Sequence, residues 1–461
     1  MPLTIDRGNV QALVLESYRC PHSLHFLYRI PDAAQGRRFL ARWLPRITHG
    51  GQDTATGPGP FINLALTWQG LVALDAFDDL GGAEEAAKAF PWDFREPPEA
   101  VSLGDFGESA PSKWWNGRFG GEAVHLTVHA HFRTPDARDS LKTEMRRAAS
   151  EHGLKELVPT RDGADPLQGD TLDVRNGREL HFGYQDGFSQ PEVNWQDEPN
   201  RPDLVDPRHF LLGYWTDAIQ AFPKDPPWSD VIRDGSYLVF RWLYQDVAGF
   251  NAYLAENARH VARPGMSVEQ AEELLAAKMM GRWRDGTPLV LSPDRQDPAR
   301  AVENFGYAYD PEGHQCPFAA HVRIVNPRDQ TLTNPNRIMF PDGPPRVLRR
   351  GHSYGPKLTG TRDDGVDRGI IGMFLCSNIN RQFYTLTRWI RQTTFSPVFK
   401  DTRAQDPLFG NRRAPLASDS FEIPGSAGTT LRGLPDFVRT QGTLMLLLPS
   451  VAMLERLAVA H

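Results

Sequence analysis

The stretch VHLTVHAHFRTPDA, Val124 to Ala137, sets the fold class. Val124, Leu126, Val128, Ala130 and Phe132 alternate with polar residues, the period of a strand that packs one face on a core. Thr134-Pro135-Asp136 then changes the period: a hydroxyl suited to capping precedes proline at the first helical position. The helix is expected to run to about Gly153. Upstream, Leu24, Phe26, Tyr28 and Ile30 alternate as a half-buried strand, and Phe39, Leu40, Trp43 and Leu44 form a helical stripe. Ile62, Leu64, Leu66 and Trp68 alternate again, and a short strand is expected near Glu179–Tyr184. The order is β-α-β-β-α-β, the ferredoxin-like arrangement.

His125, His129 and His131 share the other face of the quoted strand, where three imidazoles raise the question of a metal. On a regular strand His125 and His131 lie about 20 Å apart, at about 3.3 Å per residue. One ion does not span that distance without distortion, so the expectation is a solvated or interdomain sheet face and no metal.

The polar, proline-rich stretch Pro191–His209 marks the expected boundary, giving domains 1–200 and 201–461. In the second, Tyr237–Tyr244 reads as a strand and Ser267-Val268-Glu269-Gln270 as a capping box opening an Ala/Leu-rich helix. Ile379, Phe383, Leu386 and Ile390 form another helical stripe, and Thr443–Leu448 a late buried strand. The fold class is therefore α+β: two ferredoxin-like domains with antiparallel sheets. No direct sequence repeat accompanies them, and 40 glycines and 38 prolines imply long loops around the cores.

With 461 residues, 40% of them hydrophobic and 23% charged, the chain has the composition of a folded protein too long for one typical core. A net charge of -6 argues against nucleic acid as partner. Three cysteines without a CxxC give no disulfide framework and fit a reducing compartment. The N-terminal MPLTIDRGNV has no secretory pattern, and Leu444–Leu448, broken by Pro449, is too short to span a bilayer. These features point to a soluble, cytoplasmic protein without membrane contact; homo-oligomerisation stays open.

Three segments carry chemistry. HFGYQDGFSQP (His181–Pro191) sets Asp186 between two glycines and among Phe182, Tyr184 and Phe188, a costly place for a carboxylate unless the turn aims it. CPFAAHVRIVNPRD (Cys316–Asp329) puts His321 after an apolar run. Such a histidine is either a buried hydrogen-bonding group or, kept neutral, an axial ligand for haem iron. RVLRRGHSYGP (Arg346–Pro356) supplies arginines, either a solvated basic loop or a fixed charge for a developing anion.

Taken together, the sequence resembles the dye-decolorizing (DyP-type) haem peroxidases, in their longer, bacterial/fungal-like subclass, over nearly its whole length. The resemblance rests on Gly183-Tyr184-Gln185-Asp186-Gly187 and on His321 to Arg328. IDRGNV (Ile5–Val10), NFGYAYDPEGHQCPFAAH (Asn304–His321), Tyr354-Gly355-Pro356 and QDPLFG (Gln405–Gly410) add to it. It implies haem b, held chiefly by the second domain, with His321 as iron ligand and Asp406 as acceptor for its imidazole. It implies Asp186 as distal acid–base, Arg349 as distal arginine with Arg350 as runner-up, and Arg323 as partner of a haem propionate. The implied reaction uses hydrogen peroxide to oxidise phenolic or dye-like aromatic donors by one-electron steps. A haem-handling or storage protein is the alternative, and an interaction protein without haem a third reading. Two departures stand out: His352-Ser353 replaces the Ile-Pro common before Tyr-Gly-Pro, and Gly372 falls where a distal Phe is common. His352 is a candidate second distal base. The chain ends in VAMLERLAVAH directly after a strand pattern, so no cargo-type tail is expected.

Overall fold

In the computed structural model, the strands in chain order are β1 (His22–Arg29), β2 (Phe61–Leu66), β3 (Leu126–Phe132), β4 (Lys155–Glu156), β5 (Gln168–Asp170) and β6 (Ser236–Gln245). Then come β7 (Thr333–Asn334), β8 (Arg337–Ile338), β9 (Leu348–Arg349), β10 (His352–Tyr354) and β11 (Gly369–Cys376). β12 (Phe421–Ile423), β13 (Thr429–Leu431) and β14 (Val438–Leu448) complete the set. The structure describes residues 3–115, 123–158, 167–170, 179–199, 201, 203–330, 333–334, 337–338, 343–391, 405–415, 417–425 and 428–459.

One ten-stranded antiparallel sheet, built from two halves, forms the frame. In the first half the order is β5-β1-β3-β2, and in the second it is β14-β6-β11-β9. β4 and β5 count as one segment beside β1, and the short β7, β8, β10, β12 and β13 stand aside. Each half then reads fourth, first, third, second, the ferredoxin-like order found twice. The halves meet along thin seams: Leu447 of β14 pairs with Leu66 of β2, and Tyr354 of β10 with Gly169 of β5. Because β10 also pairs with β11, the sheet closes on itself.

Closure explains why the strands lack the solvated face their alternation suggests. β3 is buried at every position, and β1 along nearly all its length. The outer face carries Tyr28, whose ring meets Phe39 of the helix Ala33–Trp43 at 5.7 Å. The inner face carries His25 and His129, whose rings lie 5.5 and 5.4 Å from Phe240 of β6. β6 is not their neighbour in the sheet, so that contact crosses the interior. The histidine face is thus not solvated; it is buried against the second half, the interdomain of the two expected readings.

Local signals hold where chemistry is local. The Thr134 hydroxyl accepts from Ala137 N at 3.3 Å and starts a helix over Pro135–Glu151. The Ser267–Gln270 box opens the helix Val268–Met280. The expected strand near Glu179–Tyr184 is instead a turn, held by the Glu179–Gln185 bridge and by Leu180 O receiving Gly183 N at 2.7 Å. Gly183 at φ 85° breaks any extended run, and β4 and β5 take the edge position on β1. The Ile379 stripe begins as a π-helix, Ile379–Tyr384, and continues as an α-helix to Arg391. Among the described residues no helix is long and apolar enough to cross a membrane.

Candidate active site

The turn bearing Asp186 is fixed by its neighbours. Gly183 and Gly187 have φ values of 85° and 96°, a region that side chains resist, so both glycines are demanded by the backbone. Phe182 packs on Phe250 at 4.6 Å and the Tyr184 hydroxyl donates to Ala276 O at 2.8 Å. These two rings therefore anchor the turn to helices of the second half; Tyr184 also lines the cavity with Asp186, and Phe182 does not. Phe188 seats against Gly286, where an added Cβ would fall 2.1 Å from its ring. Arg282 lies between Phe188 and Phe305, 5.2 and 5.0 Å from their centroids, and donates to Ser189 Oγ and Glu303 Oε2, both at 3.3 Å. Glu303 in turn accepts Ser189 N at 2.7 Å. Asp186 itself is exposed, on the wall of a cavity of about 1120 Å³.

Arg349 reaches the same cavity from β9. Gln190 binds its backbone from both sides, accepting Arg349 N at 3.1 Å and donating to Arg349 O at 3.0 Å. Its guanidinium donates to Phe188 O. Burial pulls that guanidinium below its ordinary range, and the charges of Asp186 and Glu303 act the other way. Arg350 points elsewhere: it donates to Leu13 O, Val14 O and Glu16 O at 2.9 to 3.1 Å and pins the end of the helix Ala12–Leu15. The cavity arginine is Arg349.

His321 opens a short helix, His321–Val325, and also lines the cavity. Its Nδ1 lies 2.5 Å from Oδ2 of Asp406, which is fully buried. The other oxygen of Asp406 accepts Leu408 N at 2.8 Å and Phe409 N at 3.0 Å. A carboxylate held this way keeps the imidazole proton on Nδ1 and leaves Nε2 as the basic nitrogen.

Arg323 departs from its expected role. Its side chain is fully buried and does not line the cavity. The guanidinium donates to Asp310 Oδ2 at 2.9 Å, Cys316 O at 2.6 Å, Asp310 O at 2.8 Å and Gln330 Oε1 at 2.8 Å, between the rings of Tyr307 and Phe318. No pairing with a propionate fits that geometry. Arg323 instead braces the loop that delivers His321.

Other arginines occupy the wall. Arg391 is 4% exposed and donates to Asp105 Oδ1 at 3.1 Å, yet its Nε and Nη1 have no partner among the described residues. Arg346, pulled down to about 10 by burial and by the charges of Arg328 and Arg349, donates only a 3.3 Å bond to Asn326 Oδ1 among its described contacts. The buried Arg391 donors without a described partner call for an anion, and the half-buried Arg346 stands on the same wall. The rest of the wall includes Leu243, Val322, Ile370, Met373, Leu386 and Phe409. An apolar slot with carboxylate-seeking arginines and one free imidazole nitrogen fits haem. Sequence reasoning missed Arg391, although it directly follows Ile390 of the helical stripe; Arg346 stood in a segment already singled out.

His352 also lines the cavity, its Nε2 2.9 Å from Cys20 O and its ring 5.2 Å from that of His131. Behind it, His25 Nδ1 meets His129 Nδ1 at 2.9 Å, and His129 Nε2 meets Thr127 Oγ1 at 3.0 Å. Burial pushes His129 down to about 3 and holds His25 and His131 well below the ordinary imidazole value, so these three are neutral groups of the interior.

No family model matches the chain. It is 33% identical over 435 residues to a dye-decolorizing peroxidase of Mycena epipterygia, covering 88% of this chain and 76% of the relative. It is 30% identical over 480 residues to another from Mycetinis scorodonius, covering 97% and 86%. Among solved structures, an ancestral D-type dye-decolorizing peroxidase superposes with a TM-score of 0.82 at 26% identity, covering 99% of this chain and all of the other. The chain belongs to the dye-decolorizing peroxidases, a family of haem enzymes that act on peroxide.

Proposed function

We propose that the cavity holds haem b, with His321 Nε2 as the iron ligand, and that the chain oxidises phenolic or dye-like donors with hydrogen peroxide. Bound there, haem supplies the iron that takes up peroxide and the oxidising equivalents that donors later discharge singly. Arg391 and Arg346 would hold its carboxylates. The Asp186 carboxylate accepts a proton from one peroxide oxygen and returns it to the departing one, directly or through water. Arg349 stabilises the negative charge that builds on the leaving oxygen. Asp406 keeps the His321 Nδ1 proton in place and raises the donor strength of Nε2. In the same reading, residues 1–200 supply the acid and residues 201–461 the ligand.

One observation carries this: Asp186, Arg349 and the Asp406-oriented His321 line a single cavity. The test is the Soret band of haem-loaded protein before and after one equivalent of hydrogen peroxide. The wild type is expected to shift promptly and Asp186→Asn to lag. A band that ignores peroxide in the wild type would favour haem handling instead.

A further inference from the structure

β11 presents alternate residues, Ile370, Gly372 and Phe374, to the cavity. Gly372 is not among the positive-φ glycines, so the backbone does not demand glycine there. Space does. A Cβ at 372 would sit 2.8 Å from Cε2 and 3.1 Å from Cζ of Phe374. The Phe374 ring therefore fills the volume that a side chain at 372 would need.

Where that ring sits matters for the chemistry. Phe374 is the register partner of Arg349 across β9 and β11, and directly paired residues project to the same face of a sheet. The ring thus stands beside the arginine that shares the wall with Asp186. Behind it, Phe383 supports the ring at 5.3 Å. Its sequence neighbours Met373, which also touches the cavity wall, and Leu375 are fully buried, whereas Phe374 is half-buried and lines the cavity.

We infer that Phe374, seated in the slot left by Gly372, sets the size of molecule that reaches the Asp186–Arg349 side of the cavity. The aromatic wall is delivered from position 374 because position 372 carries no side chain. Bulky hydroperoxides and bulky iron ligands are excluded by this ring, and small ones pass. The inference rests on haem occupying the cavity.

The test uses the full chain loaded with haem, in the ferric state, titrated with cyanide and with 4-phenylimidazole and read by the Soret shift. Phe374→Ala is expected to tighten 4-phenylimidazole relative to cyanide by about tenfold or more, the scale at which pocket volume discriminates. Gly372→Phe combined with Phe374→Ala moves the ring back along the strand and is expected to restore the wild-type ratio. Phe374→Leu, a milder change, gives an intermediate ratio and guards against loss of folding. The ratio of initial rates with cumene hydroperoxide and hydrogen peroxide is expected to change in the same order. Cyanide binding throughout, with an unchanged ligand ratio in Phe374→Ala and Phe374→Leu, overturns the role of Phe374 and leaves the haem reading standing. A wild-type protein with no Soret band overturns both.

Discussion

Replacing Asp406 with asparagine exchanges one carboxylate oxygen for an amide nitrogen, at a position with three donors among the described residues. The Asp406 carboxylate is fully buried and accepts from His321 Nδ1, Leu408 N and Phe409 N. The asparagine Oδ1 can keep the two backbone donors, which directs its NH2 at His321 Nδ1. That nitrogen must then accept, and the ring proton moves to Nε2, the atom needed as ligand. Loss of such a ligand-orienting partner costs about 10- to 100-fold in metal affinity, or about 1.4–2.8 kcal/mol. The assay is titration of apoprotein with hemin, read at the Soret band, together with the ferric/ferrous midpoint potential. Asp406→Asn is expected to bind hemin about 10- to 100-fold more weakly. Its midpoint should be higher, because a less basic imidazole favours oxidised iron less. Wild-type affinity and an unmoved midpoint would refute the assignment of His321 and its orientation together.

Other consequences are as direct. Asp186→Asn should slow the reaction of haem-loaded protein with peroxide by about 10²- to 10⁴-fold in stopped flow, leaving the ferric spectrum in place; a rate within error of wild type would remove its proton-transfer role. Arg323→Met leaves Asp310 buried and uncompensated, so urea unfolding should show a loss of about 3–5 kcal/mol. If the damage were confined to haem affinity, Arg323 would be a cofactor residue after all. Gly286→Ala would drive a methyl into the Phe188 ring at a φ of 95°, and should lower thermal stability and peroxide reactivity together. Burial holds His129 at about 3 and His181 at about 4 in the fold, against about 6.5 unfolded. Between those values the unfolded chain binds protons that the folded one does not. Stability therefore falls as pH drops below about 6.5, by up to about 1.4 kcal/mol per unit for each such histidine, until the folded value is reached. Urea midpoints at several pH values should show that slope, shallower in His181→Gln; an identical slope in that variant would contradict the sign argument.

Much of the fold was legible because its signals are local. Thr134-Pro135 and Ser267–Gln270 specify helix starts through their own side chains, and the alternation in β1, β2 and β3 names the strands. Closure of the sheet was not legible, because it depends on single register pairs such as Tyr354–Gly169 between distant segments. That is why the His129 face left two readings open, solvated or interdomain, of which the contact with Phe240 selects the interdomain one. The same limit separates the site residues. Asp186 stands out by its flanking glycines, whose φ values require glycine. Arg323, adjacent to the ligand in sequence, looked like a cofactor partner. Its direction is set by Asp310 and Cys316, which no spacing rule reveals. Arg391, next to the Ile379–Ile390 stripe but outside every segment that carries chemistry, reaches the cavity through tertiary packing and its pairing with Asp105.

The proposed role of His321 Nε2, holding the iron in the cavity that Asp186 and Arg349 share, is decided by His321→Gly loaded with haem, its ferric spectrum recorded with and without added imidazole. An altered spectrum and lost peroxide reactivity are expected, both restored when imidazole fills the space of the missing ring. A His321→Gly spectrum identical to wild type, indifferent to imidazole, would contradict that role.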